Sequence, residues 1–276
     1  MTQELTSLIA VAQSLNLKGV IDTHVHLDDL ADETQESMAE LASKAFQRGI
    51  GKLVIPGLYP EQWCRISDFT KSDQRIYFAV GVHPWWVNPD TAFSAEDLTQ
   101  ALADFAIRED CIAIGETGLD KLKKDTFEAQ RSSFITHLEL AQAFTKPAII
   151  HCVRAHDEMQ RVLKSYKNGL PGVIHGFSGS LEVARHYWAK GLHLGIGGTI
   201  TYERANKTRE AVARLPIESL VLETDAPAMP VCGFQGQANR PEQIALIALK
   251  LAELRSEPVD YILEKTTENA QRLFNF

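Results

Sequence analysis

The sequence predicts a TIM (β/α)8 barrel, built as a single domain with a short N-terminal extension and extra helices at its C-terminal end. Eight short apolar runs alternate with stretches whose apolar residues recur every three or four positions, the signature of strands alternating with helices. The length, 276 residues, suits such a barrel, which typically takes about 250. Histidines and carboxylates also gather at the ends of the apolar runs, where barrels of this kind keep their chemistry. A doubly wound sheet would have fewer strands and a glycine-rich first turn, and neither a GxGxxG motif nor a P-loop is present.

Residues 1–18 carry apolar groups loosely at helical spacing, which predicts a short helix ahead of a main domain over 19–276. The eight runs are GVIDTHVHL (19–27), GKLVIPGLY (51–59), IYFAVGVHP (76–84), CIAIGETGL (111–119), PAIIHCVRA (147–155), GVIHGFSGS (172–180), HLGIGGTIT (193–201) and LVLETDAPA (220–228). They lack clean polar alternation, which suits parallel strands covered by helices on one side and packed together on the other. Between them, TQESMAELASKAFQRG and TFEAQRSSFITHLELAQAF read as amphipathic helices, and Asn239 to Phe274 supplies two more.

Composition narrows the function classes. The chain is 45% hydrophobic and 23% charged, with a net charge of −8 and an isoelectric point near 5.6, so its overall field repels nucleic acid and any polyanion must be met by local groups. Cys64, Cys111, Cys152 and Cys232 form neither a CxxC pair nor a dense framework, which suits reduced thiols in a cytosol. The first residues lack a basic leader, and no apolar run approaches the ~18 residues of a membrane span. These features predict a soluble cytoplasmic protein.

The chemistry lies in seven residues on six runs. The first run ends in His24 and His26, the third in His83, the fourth in Glu116, the fifth in His151, the sixth in His175 and the eighth in Asp225. His24 and His26, two apart on a strand, share one face. Even with His83 set aside, four imidazoles and two carboxylates exceed what one tetrahedral ion with an open position takes, since such a site uses three protein ligands. Two divalent ions use the set fully. Imidazole-rich ligation favours Zn, Mn, Co or Fe over Ca, and carboxylate ligation keeps Mg in the set. Asp225 can both bind a metal and accept a proton from the attacking water.

The motifs IDTHVHL, GVHP, IGETGLD, IIHCVRA, IHGFSGS, GGTIT and LETDAP, in this order, resemble the TatD family of metal-dependent deoxyribonucleases, over roughly residues 19 to 274. The resemblance implies one metal on His24, His26, Glu116 and Asp225, and a second on Glu116, His151 and His175, with Glu116 bridging. The stretches YERANKTR and GFQGQANRPE resemble one bacterial branch of that family. Two departures stand out. Trp85 occupies the place where the family often has a second histidine after HP, and the HxH run does not begin the chain.

Phosphoester chemistry needs cations for the substrate. Arg154, read as sharing a strand face with His151, and Arg204, Lys207 and Arg209 after the seventh run are the candidates to bind phosphate. His83 is read either as a further substrate contact or as the organiser of the loop before Trp85 and Trp86. Lys121, Lys123 and Lys124 read as a solvated run; Trp85 and Trp86 offer faces on which a nucleobase could stack, with core packing of at least one the preferred expectation. Asp22 and Asp120 are expected to support metal-bound imidazoles. His137, His156, His186 and His193 read as structural, and Cys152 carries no chemistry.

The sequence thus predicts a dinuclear metal-dependent phosphoesterase, a deoxyribonuclease of TatD type, acting on DNA or a small phosphorylated molecule. An amidohydrolase, lactonase or deaminase on the same barrel is the second reading, and a metal-binding barrel without activity the third. The relatives of the second kind often bridge their metals with a modified lysine on strand 4, where this chain has Glu116.

Overall fold

The computed structural model describes residues 3–88, 95–166 and 169–276. Eight strands form one parallel sheet in the order β1 to β8, so sequence neighbours are sheet neighbours, the order of a TIM (β/α)8 barrel. They are β1 (Ile21–Asp22), β2 (Lys52–Pro56), β3 (Ile76–Val80), β4 (Cys111–Asp120), β5 (Ala148–Val153), β6 (Gly172–Ile174), β7 (Leu192–Ile196) and β8 (Leu220–Leu222). All eight predicted runs hold a strand, and each strand stops short of where its run ends, except β4, which runs one residue past it.

The helices are α1 (Gln3–Ser14), α2 (Leu27–Thr34), α3 (Met38–Gln47), α4 (Pro60–Thr70), α5 (Ala95–Ala106), α6 (Phe127–Ala143), α7 (His156–Leu163), α8 (Leu181–Ala189), α9 (Asn206–Arg214), α10 (Ile244–Arg255) and α11 (Val259–Phe274). The predicted N-terminal helix is α1, and the two predicted C-terminal helices are α10 and α11. Local sequence sets several starts. Ser37 caps α3 by accepting from the Glu40 N–H while the Glu40 carboxylate accepts from the Ser37 N–H, a reciprocal box that satisfies two orphan donors. Pro60 opens α4, where its missing N–H costs nothing.

The chain divides into two compact units. The first comprises residues 1–54, 176–185 and 194–272, with a core that includes Ile21, Leu53, Val54, Leu194, Leu222 and Ile247, all buried. Its two end strands are joined beyond their last paired residues: the Thr23 N–H donates to the Leu222 carbonyl (3.1 Å), the Asp225 N–H to the His24 carbonyl (2.9 Å) and the His26 N–H to the Ala226 carbonyl (2.8 Å). The second comprises residues 55–175, 186–193 and 273–276, with Phe78, Ile114, Phe134, Ile150 and Tyr187 buried.

In the second unit, β4 and β5 come unusually close. Gly118, at φ +146°, pairs with His151, and a Cβ on Gly118 would lie 2.0 Å from the His151 carbonyl oxygen. Only glycine fits both that backbone and that approach. The register slips between Ile114 and Thr117, which pair with Ala148 and Ile150. Three residues of β4 thus span two of β5, a bulge that holds Glu116 and re-aims its side chain.

Candidate metal centre

In the first unit, His24 and His26 lie just past β1 rather than on it, and His26 caps α2. The expectation of a shared face holds by another route. The backbone ladder to the segment after β8 holds both residues, their rings meet edge to face at 4.9 Å, and their Nε2 atoms stand 3.1 Å apart. Asp225, in the left-handed region at φ +56°, puts Oδ1 3.5 Å from each of those nitrogens.

Such spacings have a chemical meaning. Tetrahedral bonds of about 2.0–2.1 Å to one ion separate the ligand atoms by roughly 3.4 Å. Two imidazole nitrogens and one carboxylate oxygen at 3.1 to 3.5 Å fit that shell, and all three residues are buried.

Asp22 corrects an expectation. It supports the backbone rather than an imidazole: its carboxylate accepts from the Thr224 hydroxyl (2.6 Å), the Thr224 N–H (3.0 Å) and the His24 N–H (3.3 Å). Fully buried, it ties the segment after β1 to the segment after β8, which carry His24 and Asp225. Burial raises its pKa to about 7 against the pull of those bonds.

In the second unit, Glu116 is the hub. Its Oε1 lies 2.7 Å from His175 Nε2, 3.0 Å from His151 Nδ1 and 3.3 Å from His83 Nε2. The imidazoles also converge on one another, with His151 Nδ1 at 3.0 Å from His175 Nε2 and 3.2 Å from His83 Nε2. His83, Glu116 and His151 are a group whose donor atoms can share one ion. His83 Nδ1 accepts the Trp85 N–H, so in the neutral ring Nε2 carries the hydrogen and faces Glu116 as a hydrogen-bond donor beside the cluster.

Asp120 fulfils its expected role. Two residues on either side of Gly118, Glu116 and Asp120 bracket His151, and Asp120 Oδ2 stands 3.3 Å from His151 Nε2 while Glu116 faces Nδ1. A hydrogen on Nε2 given to Asp120 leaves the Nδ1 lone pair aimed at the cluster. Burial opposes charge on His151, yet the carboxylates of Asp120 and Glu116 lift its pKa to about 9. The bracket asks for positive charge, which a divalent ion supplies as well as a proton does. Burial pushes the Asp120 carboxyl up, but hydrogen bonds from His151, the Leu122 N–H and the Trp85 indole bring it down to about 2.

His83 is held by the backbone before it. The Gly81 carbonyl accepts from Trp63 Nε1 (2.9 Å), and the Val82 N–H donates to His137 Nε2 (3.0 Å). His137 is structural, as expected, with its other nitrogen 2.7 Å from the Ser133 carbonyl. His156 and Cys152 contact Tyr187 (His156 Nδ1 to Tyr187 Oη 2.8 Å), away from the donor cluster.

The residues expected to contact substrate are more dispersed. Arg154 is exposed, three residues past His151 and beyond the end of β5, with a left-handed backbone at φ +53°. Strand alternation therefore does not fix its direction, contrary to the sequence reading. Arg204 lies 4.3 Å over the Tyr202 ring and lines a cavity of about 250 Å³ with Thr199, Tyr202, Ala205, Met229 and Pro230. Lys207 is exposed in the first turn of α9.

The sequence reading passed over Glu223. It is buried, accepts from the Gly176 N–H, and fills the space beside Gly195, where a Cβ would clash with its carboxylate. Its spacing from Asp225, two residues, repeats that of His24 and His26 and was the available signal.

The model of the family described as TatD related DNase matches residues 21–275. The chain belongs to the TatD family. It is 42% identical over 258 residues to the uncharacterized metal-dependent hydrolase YjjV of Escherichia coli (strain K12), covering 92% of this chain and 97% of that protein. An uncharacterized metal-dependent hydrolase of Haemophilus influenzae is 38% identical over 260 residues, covering 92% and 98%. The crystal structure of the Escherichia coli YjjV TatD homologue superposes with a TM-score of 0.84 over 94% of this chain and 99% of that one. A TatD family hydrolase from Entamoeba histolytica, at 19% identity and a TM-score of 0.80, shares the fold over 93% of this chain and 98% of its own.

Proposed function

We propose that this metal-dependent hydrolase of the TatD family cleaves phosphoester bonds as a deoxyribonuclease, using two divalent ions. His24, His26 and Asp225 would hold one, Glu116, His151 and His175 would hold the other, and the family resemblance implies that Glu116 would serve both. The observation that carries the reading is the convergence of Glu116 Oε1, His151 Nδ1 and His175 Nε2 within 2.7 to 3.0 Å of one another, in a chain that matches the TatD related DNase model almost end to end.

Divalent ions, when bound, lower the pKa of water and polarise a phosphoryl oxygen. The protein's own residues do the rest. Asp225 takes the proton of the attacking water at its carboxylate. Asp120 fixes the His151 ring and the ladder between Thr23 and Ala226 fixes His24, His26 and Asp225, so the donor sets need little reorganisation. Arg154, Arg204 and Lys207 meet the phosphate, a task the net charge of −8 leaves to local cations. Zn, Mn, Co, Fe and Mg all suit the donors. Four free cysteines suit a reducing compartment, so we place the protein in the cytoplasm. Among the described residues no helix is long and apolar enough to cross a membrane.

The test assays metal-loaded protein in parallel against single-stranded DNA, small phosphomonoesters and phosphodiesters, and lactones. DNA and phosphodiester cleavage is expected, abolished by chelation and restored by a divalent metal. Cleavage of lactones alone, or full activity after metal loss verified by elemental analysis, would overturn the reading.

A further inference from the structure

Within residues 55–175, two tryptophans lie more than half open: Trp85 is 55% and Trp86 53% exposed. The sequence predicted that at least one would be packed, and neither is. Leu122, whose N–H donates to the same Asp120 carboxylate that the Trp85 indole meets, is 55% exposed as well. Apolar groups exposed together mark a binding surface more often than those scattered singly.

The rings are held rather than loose. Pro84–Trp86 form a single 3-10 turn that His83 caps, accepting the Trp85 N–H on Nδ1 (3.2 Å) and the Trp86 N–H on its carbonyl (2.9 Å). The Trp85 indole N–H donates to Asp120 Oδ2 at 2.6 Å, on the same carboxylate oxygen that faces His151 Nε2. Trp86 stacks on Tyr59 with centroids 4.2 Å apart. Exposed Lys123 holds Nζ 5.6 Å from the Trp85 ring centre. One aromatic pair is thus bonded to His83, beside the donor cluster, and to Asp120, its support, with a cation alongside.

We propose that Trp85 and Trp86 form a stacking platform for an unpaired base flanking the scissile phosphate, with Lys123 meeting a neighbouring phosphate. The proposal rests on the phosphoester reading above. Stacking suits this chain because every base offers a π-face, and the affinity it supplies does not depend on the positive field that a chain of net charge −8 lacks. Rings already pinned by Asp120 and Tyr59 lose little freedom when a base lands on them. A duplex keeps its bases stacked inside and cannot use the platform without unpairing.

The test follows tryptophan fluorescence as the full-length, metal-loaded protein is titrated with a short, slowly cleaved phosphorothioate oligothymidylate and with an abasic oligomer of equal length. The base-bearing strand is expected to quench fluorescence and bind at least tenfold tighter. Trp86→Ala should weaken its binding by roughly five- to a hundredfold, the effect of losing one stacked base, while the abasic strand binds as before. Trp86→Phe, which keeps a ring, should retain most of the affinity. Equal wild-type affinity for the two strands, or a Trp86→Ala protein that binds both as the wild type does, would overturn the platform. Cleavage of an ordinary oligothymidylate, run alongside, separates the failures. Cleavage without base preference removes the platform and keeps the phosphoester reading, whereas neither binding nor cleavage removes both.

Discussion

Asp225 and Glu116 are both buried carboxylates, yet they keep different company. Glu116 offers one oxygen to three imidazoles, and Asp225 stands at 3.5 Å from two. Glu116→Gln removes the charge that holds the His83, His151 and His175 cluster together, so metal content and rate should fall together. Asp225→Asn keeps an oxygen for the ion but no base, so most of the metal should stay while turnover drops by about 10²-fold or more, the ordinary size of a general-base contribution. Elemental analysis beside single-turnover kinetics checks both variants; near-normal turnover in Asp225→Asn would move the base elsewhere. Arg154 has no buried partner to lose, so Arg154→Ala should leave stability alone and lower kcat/KM for phosphodiesters by about tenfold to a hundredfold, the scale of one or two charge-assisted hydrogen bonds. Unchanged kinetics would return Arg154 to the solvated surface.

At the scale of elements, the strand positions were legible because each is a short run of β-branched and other apolar residues between turn signals, and the helices because their apolar residues recur at helical spacing. The strand ends were not. β1 has only two paired residues: beyond them Val25 still donates to the Val54 carbonyl of β2, while Thr23, His24 and His26 bond through their backbones to β8 and the segment after it, some 200 residues away, which no local pattern announces. The hold on His83 was hidden for a similar reason: its direction comes from Trp63 and His137, which grip the two residues before it. The close approach of β4 to β5 at Gly118 lies within GETGLD, a stretch that the sequence marked as a motif but whose geometry only the structure supplies. That approach can be tested. Gly118→Ala puts a Cβ against the His151 carbonyl at a φ of +146°, which combines backbone strain with a clash against main chain. A loss of about 3 kcal/mol or more is expected, seen as a fall of roughly 6–10 °C in Tm. Metal content should fall with it because His151 must shift. A variant as stable as the wild type would mean that β4 and β5 do not meet so closely.

For the whole molecule, stability depends on a histidine that does no chemistry. His137 is fully buried in α6, accepts the Val82 N–H on Nε2 and faces the Ser133 carbonyl with Nδ1, so it is neutral, with burial lowering its pKa to about 4 although the Ser133 contact pulls upward. The unfolded chain titrates near the ordinary value of about 6.5 and so binds the proton first as pH falls. Stability contributed by the neutral ring is complete above pH 6.5 and is lost as pH drops toward 4, by up to about 3 kcal/mol. Asp22, raised to about 7, works in the opposite sense over the same window, because its folded form is protonated while the unfolded carboxyl is ionised. The two nearly offset, and the wild-type profile alone does not isolate either. The difference between wild type and His137→Gln does, since Asp22 is common to both. Urea midpoints across pH 7.5 to 5 should show the variant less stable at the upper end, with the gap narrowing steadily below pH 6.5 as the wild type loses what the glutamine never had. A gap independent of pH would mean that folding does not hold His137 neutral, and that Nε2 is not the acceptor of the Val82 N–H.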